Sequence, residues 1–434
     1  MGSGSRSSSS FSVGTHAAVC ECHAAGSGFR LARRDDKNRT GIREDSELTS
    51  RLRICLVSAA YRPYPSGVSE HVHGLALGLR ELGQKVTILT TNFPRLESGS
   101  DPVRVVRLGR AVLIPMNRSY ATLPVGMDLA GQVRRFLREN CFDIVHCHGL
   151  FWPEISYWAF RYSDAVNVFT NLTAGFKTGA AGSGLFRRLF RSQLARVHGR
   201  IAISVRSRAA VEAYVPGEYR IIPCGVDTNR FRPRTASIPE CAHRQPVILF
   251  LGRLDKRKGL SVLLKAMPRV LRSQPKTRLV VVGTGPMELA ARRFVASAGL
   301  KDSVSFVGRV SPDDLPAYFA GSDIYCSPAL GGETFGIVLL EAMASGVAVV
   351  ASNIPGYDEV VTDGIDGILS PPGDAKAMSL ALLRLIDDHG LRRRLAEAGL
   401  RRSRQFAWPS VARATLNYYL ELMDSKSASA SVSA

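Results

Sequence analysis

The feature that most limits the folds open to this chain is a recurring alternation. Short, almost wholly apolar runs such as ICLVS (54–58), PVILFL (246–251) and VAVV (347–350) alternate with helix-length stretches, and glycine-bearing turns separate them. An apolar run of this length reads as a strand buried on both faces of a parallel sheet, and the helical stretch after it as the crossover such a sheet requires. The first unit shows the pattern in full. After strand 54–58 and the turn-rich YRPYPSGVSEHV, the residues Val68, Val72, Leu75, Ala76 and Leu79 recur at helical spacing, Gly83 stops the helix, and Lys85 to Thr90 forms the next strand. Strands at 103–108, 142–147 and 201–205 continue the series, and it restarts at Pro246 after a polar stretch from Arg230 to Gln245. The expected fold class is α/β, with two doubly wound parallel-sheet Rossmann-like domains. The boundaries read as a disordered tail over 1–50, a first domain over 51–228, a linker over 229–245 and a second domain over 246–407. A final helix over 408–423 and a Ser/Ala-rich disordered tail over 424–434 complete the chain.

Composition narrows the partners. The 434 residues leave room for two cores, and 45% are hydrophobic. The net charge of +20 asks for an anionic partner: nucleic acid, a membrane surface or a phosphate-bearing substrate. No DNA- or RNA-recognition signature accompanies the charge, so nucleic acid is not the expected partner. The eight cysteines form no C-x2-C pair and several fall inside apolar runs, so reduced, buried thiols in a cytosolic protein are expected. No apolar run reaches the ~18 residues of a membrane span. The N-terminus lacks an apolar signal region, and Arg6 stands where myristoylation would want Ser or Thr. The reading is a soluble protein, or one bound to a membrane only at its surface.

Ser327 to Ala351, SPALGGETFGIVLLEAMASGVAVVA, holds the densest chemistry. A polar loop with Gly331 and Gly332 enters an apolar helix that Gly346 ends. Glu333 and Glu341 are eight apart, a separation of roughly 12 Å if both were helical. A retaining glycosidase needs its carboxylates only about 5 Å apart, so they suit the two ends of one elongated ligand better than a nucleophile and acid pair. Between them the N–H groups of Phe335, Gly336 and Ile337 open a helix, a ready site for phosphate. Spacing alone leaves a second reading open, an ordinary loop–helix–strand unit with solvated glutamates. Likewise Arg253 and Lys258, five apart in GRLDKRKG (252–259), form either a diphosphate clamp or a solvated charge run. His146 and His148 share one face of the strand at 142–147, and His148 stands at its carboxyl end, where open α/β sheets bind ligands. The helix expected over Met127 to Asn140 sets Met127, Leu129, Val133, Phe136 and Leu137 against Arg134, Arg135 and Arg138. That division fits an anionic bilayer or a solvated helix face. A Gly/Ala/Ser-rich segment within 170–200, expected to be a mobile loop, leads to Arg187, Arg188 and Arg191.

The run GGETFGIVLLEAMASG resembles the E-x7-E signature of the retaining GT-B glycosyltransferases of family GT4, matched by Glu333 and Glu341. It is similar to the form found in bacterial phosphatidylinositol mannosyltransferases, and the resemblance spans roughly residues 52 to 423. Further motifs carry it: PSGV at 65–68, with Ser66 in place of the usual first glycine, the strand ending in His148, PCGVD at 223–227, with Cys224 in place of Asn, and GRLDKRKG. The resemblance implies a GT-B fold, two domains facing across a cleft. It implies a nucleotide-sugar donor whose ribose is held by Glu341, and whose sugar and phosphate are held by Glu333 with Thr334, Phe335, Gly336 and Ile337. Gly252 and the main chain of Arg309 and Val310 would line the nucleotide, Gly67 would close from the first domain, and Arg253 and Lys258 would take the charge of the departing diphosphate. His148 would orient sugar or acceptor. Arg134, Arg135 and Arg138 would dock an anionic membrane, and Arg187 and Arg188 would face a lipid acceptor. No D-x-D motif occurs, so no metal and no cofactor are expected. The implied reaction moves a hexose, mannose from GDP-mannose as first choice, to a lipid such as phosphatidylinositol on the cytoplasmic face. A UDP-sugar transferase with another acceptor and a catalytically silent GT-B binding protein remain as alternatives.

Overall fold

The computed structural model of the protein describes residues 51–64, 66–93, 101–116, 119–149, 155–172, 179–233 and 246–432. The tail expected to be disordered over 1–50, linker residues 234–245 and residues 173–178 of the Gly/Ala/Ser segment lie outside the described residues. Through the first domain the chain forms β1 (Arg53–Val57), α1 (Gly67–Glu81), β2 (Lys85–Asn92), β3 (Arg104–Met116) and β4 (Ser119–Val125). It continues through α2 (Leu129–Asn140), β5 (Ile144–His148), α3 (Ile155–Tyr162), β6 (Val166–Asn171) and α4 (Gly179–Leu189). Then come α5 (Arg191–Leu194), β7 (Gly199–Ala202), α6 (Val205–Val211) and β8 (Arg220–Ile221). These eight strands make one sheet in the order β4-β3-β2-β1-β5-β6-β7-β8, parallel except for the β3–β4 pair.

The second domain begins with β9 (Val247–Leu251), α7 (Leu260–Ser273), β10 (Arg278–Val282), α8 (Glu288–Ser297) and β11 (Val304–Gly308). Next are α9 (Leu315–Ala320), β12 (Ile324–Ser327), α10 (Ile337–Ala344), β13 (Ala348–Ser352) and β14 (Ile368–Ser370). The helices α11 (Ala375–Asp387), α12 (His389–Arg404) and α13 (Trp408–Val432) end the chain. Its six strands are all parallel, in the order β11-β10-β9-β12-β13-β14.

The apolar runs are strands because each feeds two cores at once. In β1, Ile54 and Leu56 join the layer beneath α1, while Cys55 and Val57 join the layer beneath α2 and α3. In β9, Ile248 and Phe250 face α7 and α11, and Val247 and Leu249 face α10. Helix α13 belongs to the first domain's core, although it follows the second in sequence. Its Trp408 and Ala412 settle onto Gly74 and Gly78 of α1, where a Cβ on Gly74 would lie 1.9 Å from the Trp408 ring. The two strands of chain that pass between the domains run side by side. Val226 N–H donates to the Phe406 carbonyl at 2.8 Å, and Trp408 N–H donates to the Val226 carbonyl at 3.3 Å.

Four differences from the sequence reading have physical causes. The strand expected over 103–108 runs on to Met116 and folds back as β4, a two-stranded ribbon that exposes Val112, Leu113 and Ile114. Helix α2 starts at Leu129 because Asp128, in the left-handed region at φ 51°, caps it by accepting from Gly131 N–H. Met127 is therefore outside the apolar face and is 93% exposed. Residues 179–184 of the segment expected to be a mobile loop are helical in α4, where Phe186 anchors the helix by stacking on Phe190 at 4.5 Å. Finally, the tail expected to be disordered from Asp424 is a continuation of α13 through Val432. Neither Gly nor Pro interrupts it, and the hydroxyls of Ser425 and Ser427 donate to carbonyls four residues back.

Candidate active site

Two loops at the carboxyl ends of β9 and β12 are pressed together. Asp255 accepts from Arg257 N–H at 3.0 Å and Lys258 N–H at 3.1 Å, winding Lys256–Lys258 into a single 3-10 turn. Gly259 closes that turn at φ 69° and leaves no room for a side chain, since a Cβ there would sit 1.9 Å from the Pro328 carbonyl oxygen. Leu330 N–H donates to the Arg257 carbonyl, tying one loop to the other. The result is an ion cluster: Lys258 Nζ lies 2.9 Å and Arg257 Nη1 2.5 Å from Glu333 Oε1. Arg257 Nη1 also donates to the Gly332 carbonyl at 3.2 Å. With its side chain only 13% exposed, Glu333 is held by two cations at once. Sequence reasoning singled out Lys258 and missed Arg257. Arg253, also expected here, is exposed on the same loop.

Thr334 and Phe335 follow Glu333 into Gly336, the cap of α10, at φ 93°. The first N–H groups of α10 open at this point without intrahelical partners. Glu341 lies one turn further along α10. It keeps some accessible surface while protein surrounds it deeply, as at the floor of a cleft, and this burial pushes its carboxyl up to about 8. The charge of Arg230 acts against that rise and the charge of Glu70, in the first turn of α1, adds to it. The first turn of α1 therefore lies within electrostatic reach of α10. Gly67, its first residue, is exposed with open space around its Cα, and Ser66 caps the helix by accepting from Ser69 N–H. Gly252 and Gly308 stand at the ends of β9 and β11, joined through Gly283, whose N–H donates to the Gly308 carbonyl. Arg309 is exposed just beyond, and Val310 packs on the core beneath α10.

His148 ends β5 and is 2% exposed. Its ring lies 4.1 Å from that of His146 and 5.4 Å from that of His71, a residue of α1 that sequence reasoning passed over. His146 is fully engaged, with Tyr419 of α13 at 2.6 Å and Thr170 at 2.6 Å. Neither ring nitrogen of His148 makes a well-formed hydrogen bond. Burial, reinforced by its two neighbouring histidines, keeps it neutral, and weak interactions with the Val57 and His146 carbonyls only partly offset this.

The basic residues group on two helices. Arg134, Arg135 and Arg138 are exposed on α2, opposite the buried Leu129, Val133, Phe136 and Leu137. Arg187 and Arg188 are exposed on α4 beside the exposed Leu185 and Leu189. The structure thus brings Lys258 and Glu333 together beside the α10 N-terminus, buries His148 among histidines, and leaves Arg253 and the arginines of α2 and α4 exposed.

Comparison with known proteins gives the arrangement its family. The Glycosyltransferase Family 4 profile matches residues 65–230, and the Glycosyl transferases group 1 profile matches residues 233–402. A phosphatidyl-myo-inositol mannosyltransferase of Mycobacterium leprae is 35% identical over 371 residues, covering 85% of this chain and 96% of that protein. A protein of the same name from Propionibacterium freudenreichii is 32% identical, covering 78% and 87%. Among solved structures, the sucrose-phosphate synthase of Thermosynechococcus elongatus is similar with a TM-score of 0.67 at 24% identity, covering 86% of this chain and 100% of that one. Anabaena HepE in complex with UDP-glucose is similar with a TM-score of 0.65 at 18% identity, covering 86% and 100%. The two parallel-sheet domains are a GT-B fold. With profiles matching both halves and a relative at this identity aligned over nearly its whole length, the chain belongs to the GT4 family of glycosyltransferases.

Proposed function

We propose that this glycosyltransferase moves mannose from GDP-mannose to phosphatidylinositol, with retention of anomeric configuration, at the cytoplasmic surface of a membrane. The observation that carries the reading is the ion cluster of Arg257, Lys258 and Glu333 at the N-terminus of α10. A donor diphosphate seated there meets Lys258, Arg253 and the first amides of α10, through Phe335, Gly336 and Ile337. Positive charge at the leaving group is the largest single contribution such a transfer requires. Glu333 and Thr334 would hold the sugar, Glu341 the ribose hydroxyls, and Arg309 and Val310 the base through their main chain. Gly252 would line the nucleotide, and Gly67 would approach from the first domain. Retention follows if the acceptor attacks from the face the diphosphate leaves. The C1–O bond to the diphosphate breaks, the C1–O bond to the acceptor hydroxyl forms, and the hydroxyl proton passes to the departing phosphate oxygen. His148, neutral at ordinary pH, would orient the sugar or acceptor by hydrogen bonding rather than by charge. The two cations would do the work that a divalent metal does in other transferases, so no metal or other cofactor is required.

The lipid acceptor is supported by the names of the relatives and by the exposed arginines of α2 and α4. The exposed apolar residues of the β3–β4 ribbon support it too. Among the described residues no helix is long and apolar enough to cross a membrane, so contact would be made at the surface. A second reading, a UDP-sugar transferase, is favoured by the UDP-glucose held in the HepE complex. Radiolabelled GDP-mannose and UDP-glucose, each supplied with and without phosphatidylinositol vesicles, separate the two. Label passing from GDP-mannose into the lipid fraction supports the first reading. Turnover of UDP-glucose alone, with no lipid product, replaces it with the second.

A further inference from the structure

Beside the donor loop, the two domains meet through a clasp that the transfer chemistry itself does not call for. Glu359 of the second domain reaches across to the first turn of α6. Its Oε2 accepts from Val205 N–H at 2.8 Å and its Oε1 from Arg206 N–H at 3.1 Å. Ser204, the cap of α6, is used twice. Its hydroxyl accepts from Ser207 N–H and donates to the Thr334 carbonyl at 2.6 Å. Thr334 in turn donates from its hydroxyl to the Leu172 carbonyl of the first domain at 3.3 Å. The Ser204 and Leu172 links both end on Thr334, the residue next to Glu333.

The second domain holds its side of the clasp firmly. Gly356, three residues before Glu359, lies directly behind the donor loop, where a Cβ would come within 3.0 Å of the Glu333 carbonyl oxygen. Arg402 donates to the Glu359 carbonyl and lies over the Phe406 ring, which packs edge-on against Phe335. The segment carrying Glu359 and the loop carrying Glu333 therefore move as one body. Any shift of α6 away from that body breaks the Glu359 and Ser204 contacts together.

We propose that Glu359 is a positioning residue for the transfer: by holding α6 it seats the first domain on the Thr334 carbonyl and fixes the donor loop in its reactive placement. Two oxygens aimed at two adjacent N–H groups, in register with a second interdomain bond from the cap residue, are more than local capping of a short helix needs. The side chain of Val205 is largely exposed, so water can satisfy the same N–H groups once the clasp opens. Loss of the carboxylate should thus cost closure rather than folding. The proposal rests on family membership, and not on the particular sugar or lipid proposed above.

The test uses the full chain with Glu359→Ala and Glu359→Gln. Amide hydrogen exchange at Val205 and Arg206 is read with and without UDP or GDP, and kcat and donor KM are read with whichever of GDP-mannose and UDP-glucose the wild type turns over. In Glu359→Ala, exchange at both amides is expected to rise roughly tenfold. The kcat should fall about tenfold or more, with donor KM changed by less than about threefold. Glu359→Gln, which keeps one acceptor oxygen, should fall between. Unchanged exchange in Glu359→Ala, or unchanged kcat despite faster exchange, overturns the proposal. If the alanine variant does not fold, the glutamine variant decides by the same two readings. If neither donor is turned over, the substrate reading fails, and the kcat comparison is made with the nucleotide-sugar that the wild type does hydrolyse from a wider panel, so exchange and rate together still decide the clasp.

Discussion

Replacing Glu341 by Gln removes an ionisable group from the floor of the site and leaves its shape, so it tests whether that carboxylate meets the ribose. Burial raises the group from 4.5 to about 8. About a tenth of the molecules then carry the charge at pH 7 and about half at pH 8. A ribose diol donates better to the ionised form, so wild-type affinity for GDP or UDP should rise roughly fivefold between pH 7 and pH 8. Glu341→Gln should show only the titration of the nucleotide itself. Stability gives a second, ligand-free reading. The folded-state value lies above the unfolded one, so the folded chain keeps its proton where the unfolded chain has lost it. Relative to Glu341→Gln, the wild type should therefore lose stability as pH rises from about 4.5 to 8, and no further above that. The full shift sets an upper bound of about 5 kcal/mol, and the accessible surface that Glu341 retains reduces the expected change to roughly 1–3 kcal/mol. Calorimetric titration with GDP and UDP, and urea unfolding, each at pH 5 to 8.5, measure the two effects. A wild-type-minus-variant stability difference that is flat with pH, or identical binding slopes in both proteins, would refute the reasoning.

Four further outcomes are expected. Lys258→Ala should lower donor turnover by about 10²- to 10³-fold with little change in melting temperature, and a near-normal rate would remove Lys258 from the leaving group. Gly74→Ala should destabilise the protein by roughly 1–3 kcal/mol in urea unfolding, because the new methyl meets the Trp408 ring. Gly184→Ala, with open space around it in α4, should instead stabilise by about 0.5–1 kcal/mol. Changing Arg134, Arg135 and Arg138 together to Gln should weaken pelleting with anionic vesicles by roughly 1 kcal/mol per arginine, while vesicle-free donor hydrolysis stays unchanged. Equal pelleting of variant and wild type would point to another membrane surface.

The alternation of apolar runs and glycine turns was enough to read two parallel sheets, because a strand buried on both faces leaves a signal in its own sequence. Glu333 and Lys258 were each named through a motif, but their pairing was not read, and Arg257 was missed beside them. In a run of three basic residues nothing local says which one turns inward. That is set by Asp255 winding the 3-10 turn and by Leu330 docking on it. His71 was hidden in a helix read for its apolar stripe alone. Gly74 and Gly78, four apart in the same helix, were a usable signal that went unread, since interior helical glycines carry a cost that close packing offsets. The β3–β4 ribbon was out of reach for a different reason: its exposed apolar residues lack the inside–outside alternation by which a half-buried strand is recognised.

The bonds between Val226 and residues 406–408 have a mechanical consequence. Two tethers fixed at distant points would behave as a strap and resist opening by stretching. Two tethers bonded to each other at one point act as a pivot. Sliding one sheet past the other would break the Val226 bonds, whereas turning about them leaves both intact, so the soft degree of freedom is an arc of a single axis. Each swing about that axis would return the first turn of α6 to Glu359 and Thr334 along the same track.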